Sequence, residues 1–102
     1  MSSRQKIKGY KLEHFCVKDL RAAGLNCQRL GQAYQSDLMV DGFGLGECKV
    51  RASGLKSIYD WLGEENDFLV IHWKSTKARG KEPLVVVRWS DFKQMLKSHI
   101  GD

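Results

Sequence analysis

An aspartate at 37, a glutamate at 47 and a lysine at 49 are placed so that two neighbouring β-strands could carry them. Side chains of a strand alternate faces, so Glu47 and Lys49 are expected to point the same way, about 7 Å apart, with Cys48 pointing opposite into the core. Ionised residues sharing one face of a strand in a small domain need compensation from each other or from a bound ion, because burying charge is unfavourable. Asp37, Glu47 and the backbone carbonyl of Cys48 together make an all-oxygen set that suits Mg2+, with Mn2+ able to substitute. Such an ion binds a non-bridging phosphate oxygen, lowers the pKa of a bound water and neutralises developing charge. Lys49 beside it is expected to orient or help deprotonate the attacking water and to stabilise the charged transition state. The chemistry expected is phosphodiester hydrolysis. The alternative is a solvent-facing cross-strand ion pair that contributes little.

Hydrophobic periodicity outlines the elements that would hold these residues. Leu12, Phe15, Cys16, Leu20 and Ala23 recur at helical steps, predicting a first helix from Tyr10 to Ala23 that stops at Gly24. Leu25 to Leu30 alternates as a short strand, and Leu38–Val40 and Leu45–Val50 read as an antiparallel pair turning at Asp41 and Gly42. A second helix is expected from Leu55 to Leu62, with Leu55, Ile58, Tyr59 and Leu62 on one face and Gly63 at its end. Phe68–Trp73 and Leu84–Trp89 are near-continuous apolar runs, expected at the sheet centre with both faces covered. Between them Lys74 to Pro83 reads as an exposed basic hairpin loop. Ser90 is expected to cap a last helix from Asp91 to His99 that buries Phe92, Met95 and Leu96. The fold class expected is α/β (α+β): a mixed β-sheet of about five strands flanked by helices, in a single domain.

The chain has 102 residues, 42% of them hydrophobic and 28% charged, an ordinary globular mix that excludes a disordered or collagen-like chain. No apolar run approaches the roughly 18 residues of a membrane span, and the basic start offers no secretion signal, so no membrane and a cytoplasmic location are expected. Three cysteines without a CxxC pair suggest neither a disulfide framework nor zinc; they are expected to be reduced and partly buried. A net charge of +5 favours a polyanionic partner. His14, His72 and His99 are not spaced as a ligand set and are assigned no chemistry. Trp61, Trp73 and Trp89 are expected to fill the core or a dimer face rather than to stack on bases.

Ser36-Asp37-Leu38-Met39-Val40 followed by Glu47-Cys48-Lys49-Val50 resembles the PD-(D/E)xK nuclease superfamily, whose core pairs an aspartate on one strand with acid-x-lysine on the next. Ser36 stands in place of the proline, and the nine residues between Asp37 and Glu47 are a typical spacing. Lys8-Gly9-Tyr10, Glu13 on the first helix and Arg29 in the next strand look like archaeal-type Holliday junction resolvases, over residues Lys8 to about Val50. The resemblance implies a restriction-endonuclease-like sheet and a catalytic set of Glu13, Asp37, Glu47 and Lys49. It also implies Ser36 and Arg29 as phosphate contacts, and a homodimer acting on branched or four-way DNA. For Glu13 the alternative is a solvated acid near a helix N-terminus. Lys8, Arg51, Lys74, Lys77, Arg79 and Lys81 are further candidate DNA contacts, although the loop at 74–83 has no counterpart in those resolvases. Two other readings share the same residues: a related nuclease with another DNA substrate, and a non-catalytic nucleic-acid-binding module.

Overall fold

The computed structural model describes residues 3–101, without the side chains of residues 3–8 and of Ala78. The chain forms an α+β structure of three helices and two small antiparallel sheets, and falls into two compact units. Residues 1–52 and 93–102 make the first, and Ser53–Phe92 the second. Among the described residues no helix is long and apolar enough to cross a membrane.

The first unit begins with α1, Ser3–Ala22, which starts well before the expected Tyr10. It ends as anticipated at Gly24, whose φ of 89° suits glycine. There Leu25 N–H donates to Leu20 O and Gly24 N–H to Arg21 O, the paired bonds of a Schellman cap. Cys16, Val17 and Leu20 are the buried stripe of α1, whereas Phe15, expected among them, is exposed. Against it lie β1 (Cys27–Arg29), β2 (Leu38–Val40) and β3 (Gly44–Gly46), paired antiparallel in the order β1-β2-β3. Cys27, Leu38 and Val40 supply the sheet's buried residues. The Asp41-Gly42-Phe43 turn brings Gly42 close to Ile100, where an added Cβ would meet Ile100 Cγ1 at 3.4 Å. The end of the last helix closes this core: Leu96 is fully buried, and Lys93 Nζ meets Asp19 Oδ2 at 2.8 Å. Each such buried leucine contributes about 1.5–3 kcal/mol.

The second unit holds α2 (Lys56–Leu62), a hairpin of β4 (Leu69–Ile71) and β5 (Leu84–Val86), and the first turn of α3 (Trp89–Ile100). Seven residues make a helix that is marginal on its own, and a guanidinium secures its end. Arg88 donates to the carbonyls of Gly63 and Asn66, while Asn66 Nδ2 donates to Leu62 O at 3.0 Å. Leu62 is the buried residue of this unit, and Tyr59, expected beside it, is exposed.

The sheets and the last helix depart from expectation. The five strands do not form one mixed sheet, because β4 and β5 pair with each other apart from β1–β3, and every pairing is antiparallel. Nor are Phe68–Trp73 and Leu84–Trp89 covered on both faces, since Phe68, Val70, Trp73, Leu84 and Val85 are all exposed. A short apolar run records that a segment favours extended backbone, and is silent about what covers it. The last helix starts at Trp89 rather than Asp91, and it leaves Met95 exposed.

Candidate active site

Asp37 lies immediately before β2, with its N–H donating to Gly46 O at 3.0 Å and its C=O accepting from Leu30 N–H at 2.9 Å. The strand carrying the partner residues ends sooner than Leu45–Val50 would have it. β3 stops at Gly46, so Glu47, Cys48 and Lys49 follow the strand instead of lying within it. The reason is local competition for hydrogen bonds. Asp37 Oδ2 accepts the Cys48 N–H at 2.7 Å, and an aspartate side chain that takes a backbone donor replaces the next rung of the ladder. The same bond fastens the Glu47–Lys49 segment to Asp37.

Glu47 and Lys49 share a side as expected, with Lys49 Nζ 3.9 Å from Glu47 Oε1. Their side chains are 55% and 60% exposed, so this pair contributes little to stability and stays accessible to a ligand. Glu13 is neither at the start of α1 nor solvated, being 16% exposed and ion-paired through Oε1 to Arg29 Nε at 3.1 Å. Arg29, expected to meet phosphate, is thus engaged within the unit, and its guanidinium also covers the Tyr10 ring at 4.3 Å. Tyr10 in turn packs edge-on against His14, one helical turn away. This Tyr10–Arg29–Glu13 stack was not foreseen; the only signal was the spacing of Tyr10, Glu13 and His14 along one helix face.

The Cys48 thiol is shifted by its surroundings. Burial pushes it up to about 12, and the neighbouring Cys16, Asp37 and Glu13 push in the same direction. Burial raises Cys16 and Cys27 as well. All three cysteines are free, Cys16 and Cys27 being buried and Cys48 half-buried. A thiol held neutral to such high pH is a packing group rather than a nucleophile.

The remaining candidates lie apart from these residues in sequence or in unit. Ser36 is half-buried beside Asp37, and Arg51 is exposed with Nη1 bonded to Val50 O at 2.8 Å. Lys8 belongs to α1, with its side chain outside the described residues. Lys74, Lys77, Arg79 and Lys81 belong to the second unit, all exposed on the β4–β5 loop, as read from the sequence. Trp61 and Trp73, expected in the core or at a dimer face, are exposed in that unit and so do not fill its core, and Trp89 is half-buried.

Among the described residues no three His, Cys, Asp or Glu side chains cluster as a ligand set. The oxygen atoms that the Asp37–Cys48 bond ties into one segment are those of the Asp37 and Glu47 carboxylates and the Cys48 carbonyl. A few hard oxygen donors with the rest of the shell left to water is a donor set that fits Mg2+ in kind. No family model, curated protein or solved structure matches the chain.

Proposed function

We propose that the chain is a metal-dependent DNA endonuclease that hydrolyses phosphodiester bonds with Asp37, Glu47 and Lys49. The observation that carries this reading is the 2.7 Å bond from Cys48 N–H to Asp37 Oδ2, which ties the aspartate to the segment bearing the acid and the lysine. Asp37, Glu47 and the Cys48 carbonyl would hold the ion. When bound, Mg2+, or Mn2+ in its place, supplies charge neutralisation and a more acidic water. Lys49 donates to a phosphate oxygen and orients the attacking water, its 3.9 Å separation from Glu47 being too long to commit its N–H donors. Glu13 holds Arg29 in place beside the site, and Ser36 and Arg51 contact the phosphates that flank the cleaved bond. The resemblance to junction resolvases adds a homodimer acting on four-way DNA.

The test is cleavage of a labelled four-way junction and a matched linear duplex, with Mg2+ or EDTA, by the wild type and Glu47→Ala. Charge stabilisation of several kcal/mol is at stake, so the variant should lose about 100-fold or more of the rate while staying folded. Paired cuts in the junction alone support the resolvase. Equal cutting of both substrates keeps the nuclease and removes the junction. A wild type that cuts neither with any divalent ion, yet binds DNA as Glu47→Ala does, leaves a binding module.

A further inference from the structure

The β4–β5 hairpin carries two cavities on one stretch of chain. The first, about 370 Å3, is lined by Ile71, His72, Trp73, Lys81, Glu82 and Leu84, and its walls are largely apolar. That size is at the small end of the roughly 300–1,000 Å3 typical of ligand sites. The second, about 410 Å3, is lined by two cations and two hydroxyls, from Lys74, Arg79, Ser75 and Thr76. Trp73 and Lys74 are consecutive, so the cavity walled by Trp73 and the cavity lined by Lys74 and Arg79 follow one another along the backbone.

We propose that this hairpin grips single-stranded DNA, with an unpaired base in the cavity at Trp73 and a neighbouring phosphate in the cavity at Lys74 and Arg79. Trp73 is 61% exposed, which leaves its ring open to stack on a base, and any base offers a π-face once it is out of a duplex. The loop is pre-shaped. His72 Nε2 and Lys81 O are 3.1 Å apart across it, and because a carbonyl only accepts, Nε2 carries the hydrogen. Glu82 would repel a phosphate but accepts from an exocyclic amino group, and it lines the base cavity and not the other. Among the described residues no carboxylate pairs with Lys74, Lys77, Arg79 or Lys81, which leaves them for a phosphate backbone. A second copy of this basic chain docking here would bury those cations against like charge. That the bound strand is DNA rests on the nuclease reading; the grip itself does not.

The experiment is fluorescence anisotropy of a labelled oligodeoxycytidylate, whose bases carry an exocyclic amino group, and of a same-length duplex with the full chain in EDTA, which suppresses cleavage. The wild type should prefer the single strand. Trp73→Ala should weaken its binding by about 5- to 100-fold, Trp73→Phe should restore most of the loss, and Trp61→Ala, equally exposed but on α2, should change nothing. Lys74→Ala with Arg79→Ala should lower the slope of log affinity against log salt by about 1.4. Circular dichroism of each variant separates lost binding from lost folding. The proposal is overturned if folded Trp73→Ala binds as the wild type does, if duplex binds equally well, or if the substitution alters oligomeric state instead. Glu47→Ala keeps the two readings apart. Trp73-dependent binding without any cleavage removes the nuclease and leaves the grip, whereas cleavage with Trp73-independent binding does the reverse.

Discussion

The two units hold together by different means. Of the nine buried apolar residues among those described, eight belong to the first unit and only Leu62 to the second. The first is a helix packed on a sheet, with Leu20 and Leu96 each 1% exposed at its centre. The second relies on Arg88 and Asn66 to secure its short helix and on hairpin pairing, with Tyr59, Trp61, Phe68, Val70, Trp73 and Val85 exposed. Asp37, half-buried beside the first sheet, is held by the packed unit and by the Cys48 N–H, while Glu47 and Lys49 are exposed, and the basic aromatic loop sits where little is buried. Fixed geometry suits chemistry, and a lightly packed surface suits adaptable binding.

The largest effect that would sharpen this contrast is in the first core. Leu20→Ala should destabilise the protein by about 2–5 kcal/mol, read as a lower urea midpoint with unchanged slope. A loss below about 1 kcal/mol would mean that the α1–sheet contact is not the main support. A smaller effect is expected at alkaline pH. The Cys48 thiol ordinarily titrates near 9.0 and here near 12, so above 9 the unfolded chain releases a proton that the folded chain keeps. Stability from this group is complete below pH 9, falls as pH rises from 9 and is gone by about 12. Cys48→Ala should flatten that decline in urea midpoints, and a decline as steep as the wild type's would place its cause elsewhere. The smallest effect is in the second unit, where Val85→Ala should change stability by no more than about 0.5 kcal/mol. A cost like that of Leu20→Ala would show that the outward face is covered in solution, and the contrast between the units would fail.

Most elements could be read from local pattern because local causes make them. Leu38–Val40 was found to the residue, since alternation and the Asp41-Gly42 turn both mark it. The early stretch of α1 was missed because residues 3–9 repeat no apolar face. The short β3 was missed because its ladder is ended by the side chain of Asp37, which is distant in sequence. The separation of β4–β5 into its own sheet was missed because apolar runs do not report their cover. In the site, residue types and order were legible at Asp37, Glu47 and Lys49. The pairing of Glu13 with Arg29 over Tyr10 spans two elements, and it could only come from the fold.

The bond between Asp37 and Cys48 has a further consequence, for entropy. A free aspartate gives up its rotamer freedom when it captures a ligand, at a cost of about 0.5–1.5 kcal/mol for an immobilised side chain. Asp37 is immobilised when the sheet forms, before any cation or phosphate arrives. Ligand affinity at this position is thereby coupled to the integrity of one backbone N–H, and loosening the chain at Cys48 would weaken binding without removing a single ligand atom.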